Sequence, residues 1–81
     1  MGVKIVYGSH YGTTERYAQE LSRRVGISAV DYRKMGEISS QDTVIYLGGL
    51  YAGGLVGLKK SLPKLKTAAN LIVVISFYLM L

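Results

Sequence analysis

The sequence has no cysteine, no tryptophan, one histidine and one proline, and it is short of acid: Asp plus Glu is 5 against 10 for Lys plus Arg. Without cysteine, a disulfide scaffold, a thiolate zinc site, an iron–sulfur cluster and thiol catalysis are excluded. A lone histidine, His10, has no companions with which to hold a metal. No internal repeat, linker or low-complexity stretch divides the chain, so its 81 residues are expected to form one small domain, 1–81. A domain of this size buries only about 60–65% of the surface its unfolded form exposes. The hydrophobic fraction of 49% is too high for a disordered tail.

The shortage of acid leaves a formal charge of +5 and a pI near 9.6, which favours anionic partners at long range without choosing one. The basic residues are scattered, with no aromatic–basic pattern on a single strand, and this argues against nucleic-acid binding. Met1 to Tyr7 is a short apolar run broken by Lys4 and does not read as a leader, so a cytoplasmic protein is expected. Leu71 to Leu81 is apolar apart from Ser76, but it is shorter than the roughly 20 residues of a membrane span. It is also longer than a typical strand of about 5–6 residues. An apolar excess of this kind invites association, and it points to a half-domain completed by another copy or to a truncation.

Val3 to Tyr7 has the length and β-branched content of a strand buried on both faces. The period then changes. Tyr17, Ala18, Leu21 and Val25 recur at helical spacing, with Glu15, Arg16, Gln19, Glu20, Arg23 and Arg24 on the other side. Thr13 or Thr14 is expected to cap this helix, and Gly26 to end it in a left-handed conformation. Ile27 to Tyr32 reads as a second strand. Arg33 to Asp42 reads as a loop holding Ile38 inward, and Thr43 to Leu47 as a third strand closed by the loop Gly48–Gly54. Leu55, Val56, Leu58, Leu62 and Leu65 form a second helical stripe. Pro63 costs roughly 3 kcal/mol inside a helix, so the helix is expected to stop near Ser61 or Leu62. Tyr7, Tyr17 and Tyr46 are assigned to the core. The alternation predicts an α/β three-layer sandwich with a parallel sheet, and ligands of such sheets bind beyond the carboxyl ends of the strands where strand order reverses.

Both glycine-rich segments, 8–14 and 48–54, follow strands and reach that end of the sheet. Ser9, Thr13 and Thr14 offer hydroxyls, Gly12 removes a Cβ, and a helix begins with unpaired amides and the positive end of its dipole. No Lys or Arg lies between Gly8 and Thr14, so dipoles and hydroxyls would do the binding. Gly-Thr-Thr replaces the Gly-Lys-Ser/Thr of a nucleoside triphosphatase loop, and the dinucleotide fingerprint Gly-x-Gly-x-x-Gly is absent. Asp31, near the end of the second strand, stands where a ribose-binding acid would stand; a strand-end cap or ion partner is the plainer role.

The stretch Ile5-Val6-Tyr7-Gly8-Ser9-His10-Tyr11-Gly12-Thr13-Thr14 resembles the phosphate loop of flavodoxins, and Val44-Ile45-Tyr46-Leu47-Gly48-Gly49-Leu50-Tyr51-Ala52-Gly53 resembles their second flavin loop. The resemblance runs from about Val3 to Val74. It implies strand order 2-1-3-4, with the fifth strand, the last helix and the third flavin loop of that family missing. It also implies flavin mononucleotide (FMN) as cofactor and one- or two-electron transfer, as an electron carrier or an FMN-dependent oxidoreductase. By the family pattern Ser9, His10, Tyr11, Gly12, Thr13 and Thr14 would hold the phosphate. Leu50, Tyr51, Ala52 and Gly53 would flank the ring, with Tyr51 stacking on it and excluding water. Flavodoxins are commonly acidic and this chain is basic, so the implied redox partner is acidic. The competing reading is a non-catalytic remnant that binds only phosphate, or that assembles with another copy.

Overall fold

Five strands and two helices follow one another in a computed structural model that describes residues 2–9, 12–51 and 54–76, with the backbone alone for Leu50, Tyr51, Gly54, Ile75 and Ser76. They are β1 (Gly2–Gly8), α1 (Thr13–Val25), β2 (Ala29–Asp31), β3 (Asp42–Tyr51), β4 (Gly54–Leu55), α2 (Leu58–Leu65) and β5 (Asn70–Ser76), with a 3-10 turn at Tyr32–Lys34. β1 runs parallel to β2 (Val6 beside Val30) and parallel to β3 from Gly2 beside Asp42 to Gly8 beside Gly48. β5 adds in parallel on the far side of β3, from Thr43 beside Asn70 to Gly49 beside Ser76. The parallel strands therefore lie in the order β2-β1-β3-β5, the expected 2-1-3-4 arrangement with β5 as its fourth member.

Two apolar clusters sit on opposite faces of this sheet. One gathers Val6, Val44, Tyr46, Met35, Ile38 and Leu65; the other gathers Ile5, Tyr7, Leu47 and Ala18. Alternate residues of β1 and β3 serve opposite faces, as the period of a strand demands, and this gives the expected three layers. Ile38 is buried as anticipated, and Met35 joins it from the same loop. The loop is fixed at the amino end of the sheet, where Lys4 donates to the Glu37 carbonyl (3.0 Å) and lies 3.6 Å from Asp42, whose carboxylate accepts from the Ser39 amide (2.9 Å).

Several expectations need correction. β2 is shorter than Ile27–Tyr32, because Asp31 accepts from the Arg33 amide (2.8 Å) and turns the chain into the 3-10 segment. β3 does not close at Leu47 but runs on through Gly48, Gly49 and Leu50 to Tyr51, and β4 returns antiparallel with Leu50 beside Leu55. α1 has Gly12, not Thr13 or Thr14, at its N-cap, with φ 85° and no side-chain cap; Gly26 ends it left-handed, as expected, with φ 73°. Tyr17 is 57% exposed and is not core. Small side chains, Thr14 and Ala18, are the buried stripe of α1, which draws the helix close to the sheet and turns Tyr17 outward. α2 continues through Pro63 to Leu65. Lys59 and Pro63 are both exposed, so water can take the Lys59 carbonyl that loses its amide partner, and burial of Leu65 outweighs the proline penalty.

Candidate functional site

The carboxyl ends of β1 and β3 meet the start of α1 in a tightly packed seam. Gly8 and Gly48 stand side by side in adjacent strands, and the chain leaving β4 folds back over them. The Val56 amide donates to the Gly49 carbonyl (2.9 Å), and the Tyr46 hydroxyl donates to the Val56 carbonyl (2.7 Å). A Cβ on Gly8 would fall onto the Val56 carbonyl oxygen and lie 2.6 Å from the Tyr46 hydroxyl. A Cβ on Gly49 would lie 2.8 Å from Thr14 Oγ1. Gly8 and Gly49 thus admit close approach in extended strands, not flexibility in a loop. Thr14, only 3% exposed, is the side chain by which α1 is seated against β3.

Above this seam lies the turn from β1 to α1. Ser9 Oγ accepts from the Gly12 amide (2.7 Å), and a hydroxyl that accepts keeps its own hydrogen to donate. Gly12 has a left-handed backbone, and among the described residues no atom lies within 4 Å of where its Cβ would be. The next amides, of Thr13, Thr14 and Glu15, open a helix of 13 residues, and among the described residues no side-chain hydrogen bond caps it; these amides have no acceptor one turn back within the helix. Dipole, amides and the Ser9 hydroxyl therefore lie together at this turn, which suits a phosphate or other small anion.

The candidate residues divide into three groups. Ser9, Gly12, Thr13 and Thr14 are brought together at the end of β1, with Thr14 hidden in the seam and the others half-exposed. Leu50 and Tyr51 belong to the β3 extension, where they pair with Leu55 and Gly54. His10, Tyr11, Ala52 and Gly53 lie outside the described residues. Tyr46 is a member of the seam that its core assignment alone did not reveal. The one sequence signal for it was position: it precedes Gly48 by two residues on the same face of β3 and so points at the returning chain.

Beside α1, on the β2 side, is a groove of about 750 Å³ lined by Tyr7, Glu15, Ala29, Val30, Asp31, Arg33 and Lys34. Two of its charges are paired with each other. Arg33 grips both oxygens of Asp31 (Nε 2.9 Å, guanidinium nitrogen 2.9 Å), and this bonding holds the Asp31 carboxyl below its ordinary range. Asp31 is thus the turn cap and ion partner. The Tyr7 hydroxyl donates to Glu15 (3.3 Å); burial, then the negative Glu15, pushes its pKa up. Among the described residues no group of three or more His, Asp or Glu side chains could hold a metal ion, and no helix is long and apolar enough to cross a membrane.

Tyr46 is fully buried, and burial pushes its pKa from 10.0 up to about 12. The unfolded chain gives up this proton near pH 10 and the folded chain near 12, so the folded form binds more protons in between. Stability from Tyr46 is complete below pH 10 and is lost as pH rises from 10 to about 12. The expected loss is on the order of 2 kcal/mol. Urea midpoints compared for the parent and Tyr46→Phe should converge as pH rises through that window; a constant gap between them would show that the hydroxyl is not buried.

A search of curated proteins gives no significant match. The sequence profile of a family described as "Flavodoxin domain" matches residues 4–79, which runs from within β1 through β5 and takes in both segments that build the seam. With the strand order already described, the chain belongs to the flavodoxin domain family.

Proposed function

We propose that this chain binds FMN at the carboxyl edge of its sheet and serves as an electron-transfer domain. The observation that carries the reading is the start of α1: among the described residues, a helix N-terminus without a side-chain cap behind a left-handed Gly12, with Ser9 Oγ poised across the turn. That arrangement fits a phosphate monoester, whose charge is stabilised by amides and dipole in place of a lysine or arginine. Ser9 and Thr13 donate hydroxyl hydrogens to the phosphate, with His10 and Tyr11 in the same turn as further contacts. Gly12 lets the backbone approach, and Thr14 meets the ligand at the seam with Gly49. The segment Leu50, Tyr51, Ala52 and Gly53, which begins in the β3 extension, flanks the ring. An aromatic ring at Tyr51 would keep water from the flavin and disfavour added negative charge on it.

When bound, FMN supplies one- or two-electron chemistry, and the chain supplies binding, orientation and exclusion of water. A formal charge of +5 steers an acidic redox partner toward it, with attraction that weakens as salt rises.

FMN titrated with the purified chain should lose fluorescence and shift its visible bands. Thr14→Val keeps the shape of the side chain and removes the hydroxyl, and Ser9→Ala removes the other fixed one. Each should weaken FMN by roughly 1–3 kcal/mol, a loss of about 5- to 150-fold in affinity. Riboflavin, which has no phosphate, should bind the parent and both variants equally. No spectral change with FMN would overturn the reading; displacement of FMN by inorganic phosphate would support the phosphate seat.

A further inference from the structure

Glu15 lies in the first turn of α1, three residues after the N-cap Gly12. A glutamate in that place ordinarily reaches back and accepts from the amide of the N-cap residue, so that the helix start is closed by its own carboxylate. In this chain it turns elsewhere. The Gly12 amide donates to Ser9 Oγ (2.7 Å), and the Glu15 carboxylate accepts from the Tyr7 hydroxyl (3.3 Å) near the end of β1. Tyr7 and Glu15 meet in the groove that Ala29, Val30 and Asp31 of β2 also line. Lys34 lines the same groove, so positive charge favours the carboxylate on that side as well.

Packing alone does not call for a tyrosine at position 7. Its ring is buried with Ile5, Leu47 and Ala18, a place that phenylalanine would fill as well. What the hydroxyl adds is a polar group inside an apolar cluster, which is costly unless it is bonded. α1 supplies its neighbours from two successive turns of one face: Glu15 accepts the proton, and Gln19, four residues on, faces the same hydroxyl. Burial and the charge of Glu15 raise the Tyr7 pKa, so at neutral pH the phenol keeps its hydrogen and stays a donor.

The direction in which Glu15 turns matters to an anion at the start of α1. Swung back toward the helix axis, the carboxylate takes amides that a phosphate needs and sets negative charge against negative. Held on the β2 side, it leaves those amides free and still favours the positive end of the helix dipole. We infer that Tyr7 is a positioning residue for the phosphate seat, its hydroxyl holding the Glu15 carboxylate on the β2 side of α1 and away from the first-turn amides. The inference rests on the reading of that turn as a phosphate seat.

Its first test needs no ligand. In the flavin-free chain, Tyr7→Phe lets Glu15 reach back to the Gly12 and Thr13 amides, and those two amide protons should move downfield in a nuclear magnetic resonance spectrum. Made in a Glu15→Ala chain, the same substitution should leave them in place. With FMN, Tyr7→Phe should weaken binding about 3- to 10-fold, the effect of a unit charge brought to roughly 6–12 Å from a dianion in water. Riboflavin should bind the parent and Tyr7→Phe alike. In the Glu15→Ala chain, Tyr7→Phe should change FMN affinity by less than about 2-fold, since the two residues act through one contact. Equal losses for FMN and riboflavin, or an FMN loss that persists in Glu15→Ala, would make Tyr7 a packing residue and overturn the inference. A parent that binds neither FMN nor inorganic phosphate would overturn the reading of the seat, whereas amide protons that stay in place in Tyr7→Phe would overturn the positioning role alone.

Discussion

Gly8→Ala is expected to lower stability by about 3 kcal/mol or more, which for a domain of this size is a fall in melting temperature of roughly 12–24 °C. The added methyl falls onto the Val56 carbonyl oxygen, and the Val56 carbonyl carbon would be 2.8 Å away. The obstruction is backbone, and that backbone is held from two sides, by Val56 donating to Gly49 and by Tyr46 donating to Val56. Relief therefore means breaking the seam or bending β1 away from β3, whose strands are in register from Gly2 to Gly8. Total stability for 81 residues is roughly 4–12 kcal/mol, so a large share is at risk. Gly36→Ala is the control. Gly36 has φ 67° with no atom of the described residues within 4 Å of its would-be Cβ, so alanine there meets left-handed backbone strain of about 1–2 kcal/mol. Thermal melts of the two variants should differ by several degrees, Gly8→Ala the lower. Equal melts would mean that the returning chain does not lie over Gly8.

The same glycines explain what could be read from the sequence and what could not. β1, α1 and their parallel partners were legible because period and composition agree: an apolar run at Val3–Tyr7, then helical spacing from Tyr17 to Val25 and a glycine at 26. The first turn was legible as a strand-to-helix junction for the same reason, since Ser9 and Gly12 stand where β1 gives way to α1. The β3 extension was not. Gly48 and Gly49 read as loop because glycine is a poor strand former, yet here they are strand residues whose missing side chains make room for Leu55 and Thr14. Whether a glycine serves a turn or a close approach depends on a partner distant in sequence, and local pattern does not contain it. Tyr17 failed in a similar way. Its spacing from Leu21 and Val25 fits an apolar stripe, but Thr14 and Ala18 fit the sheet more closely, and how near a helix lies to its sheet is decided by its smallest side chains. Thr14 itself was read for its hydroxyl alone, and its burial against Gly49 gives it a second role that only the assembled seam exposes.

Leu65→Ala should cost about 3 kcal/mol, while Leu62→Ala, three residues earlier on the same helix, should cost less than about 1 kcal/mol. Leu65 is 1% exposed and packs in the cluster of Val6, Val44 and Tyr46, whereas Leu62 is 38% exposed. The contrast depends on α2 passing through Pro63. A helix broken at Ser61 or Leu62 would release Leu65 from its fixed place beneath the sheet and make the two substitutions alike. Its continuity rests on bonds that flank the proline: the Ser61 hydroxyl donates to the Gly57 carbonyl (2.7 Å), and the Lys66 amide donates to the Leu62 carbonyl (2.9 Å). Pro63→Ala restores an amide toward the Lys59 carbonyl and removes ring crowding in the preceding turn. Against the helix penalty of roughly 3 kcal/mol stands the lost rigidity of the unfolded chain, about 1 kcal/mol, so a net gain near 2 kcal/mol is expected. Urea midpoints for the three variants would then fall in the order Pro63→Ala, parent, Leu62→Ala, Leu65→Ala from most to least stable. A neutral Pro63→Ala together with a mild Leu65→Ala would place the end of α2 before the proline and detach Leu65 from the core.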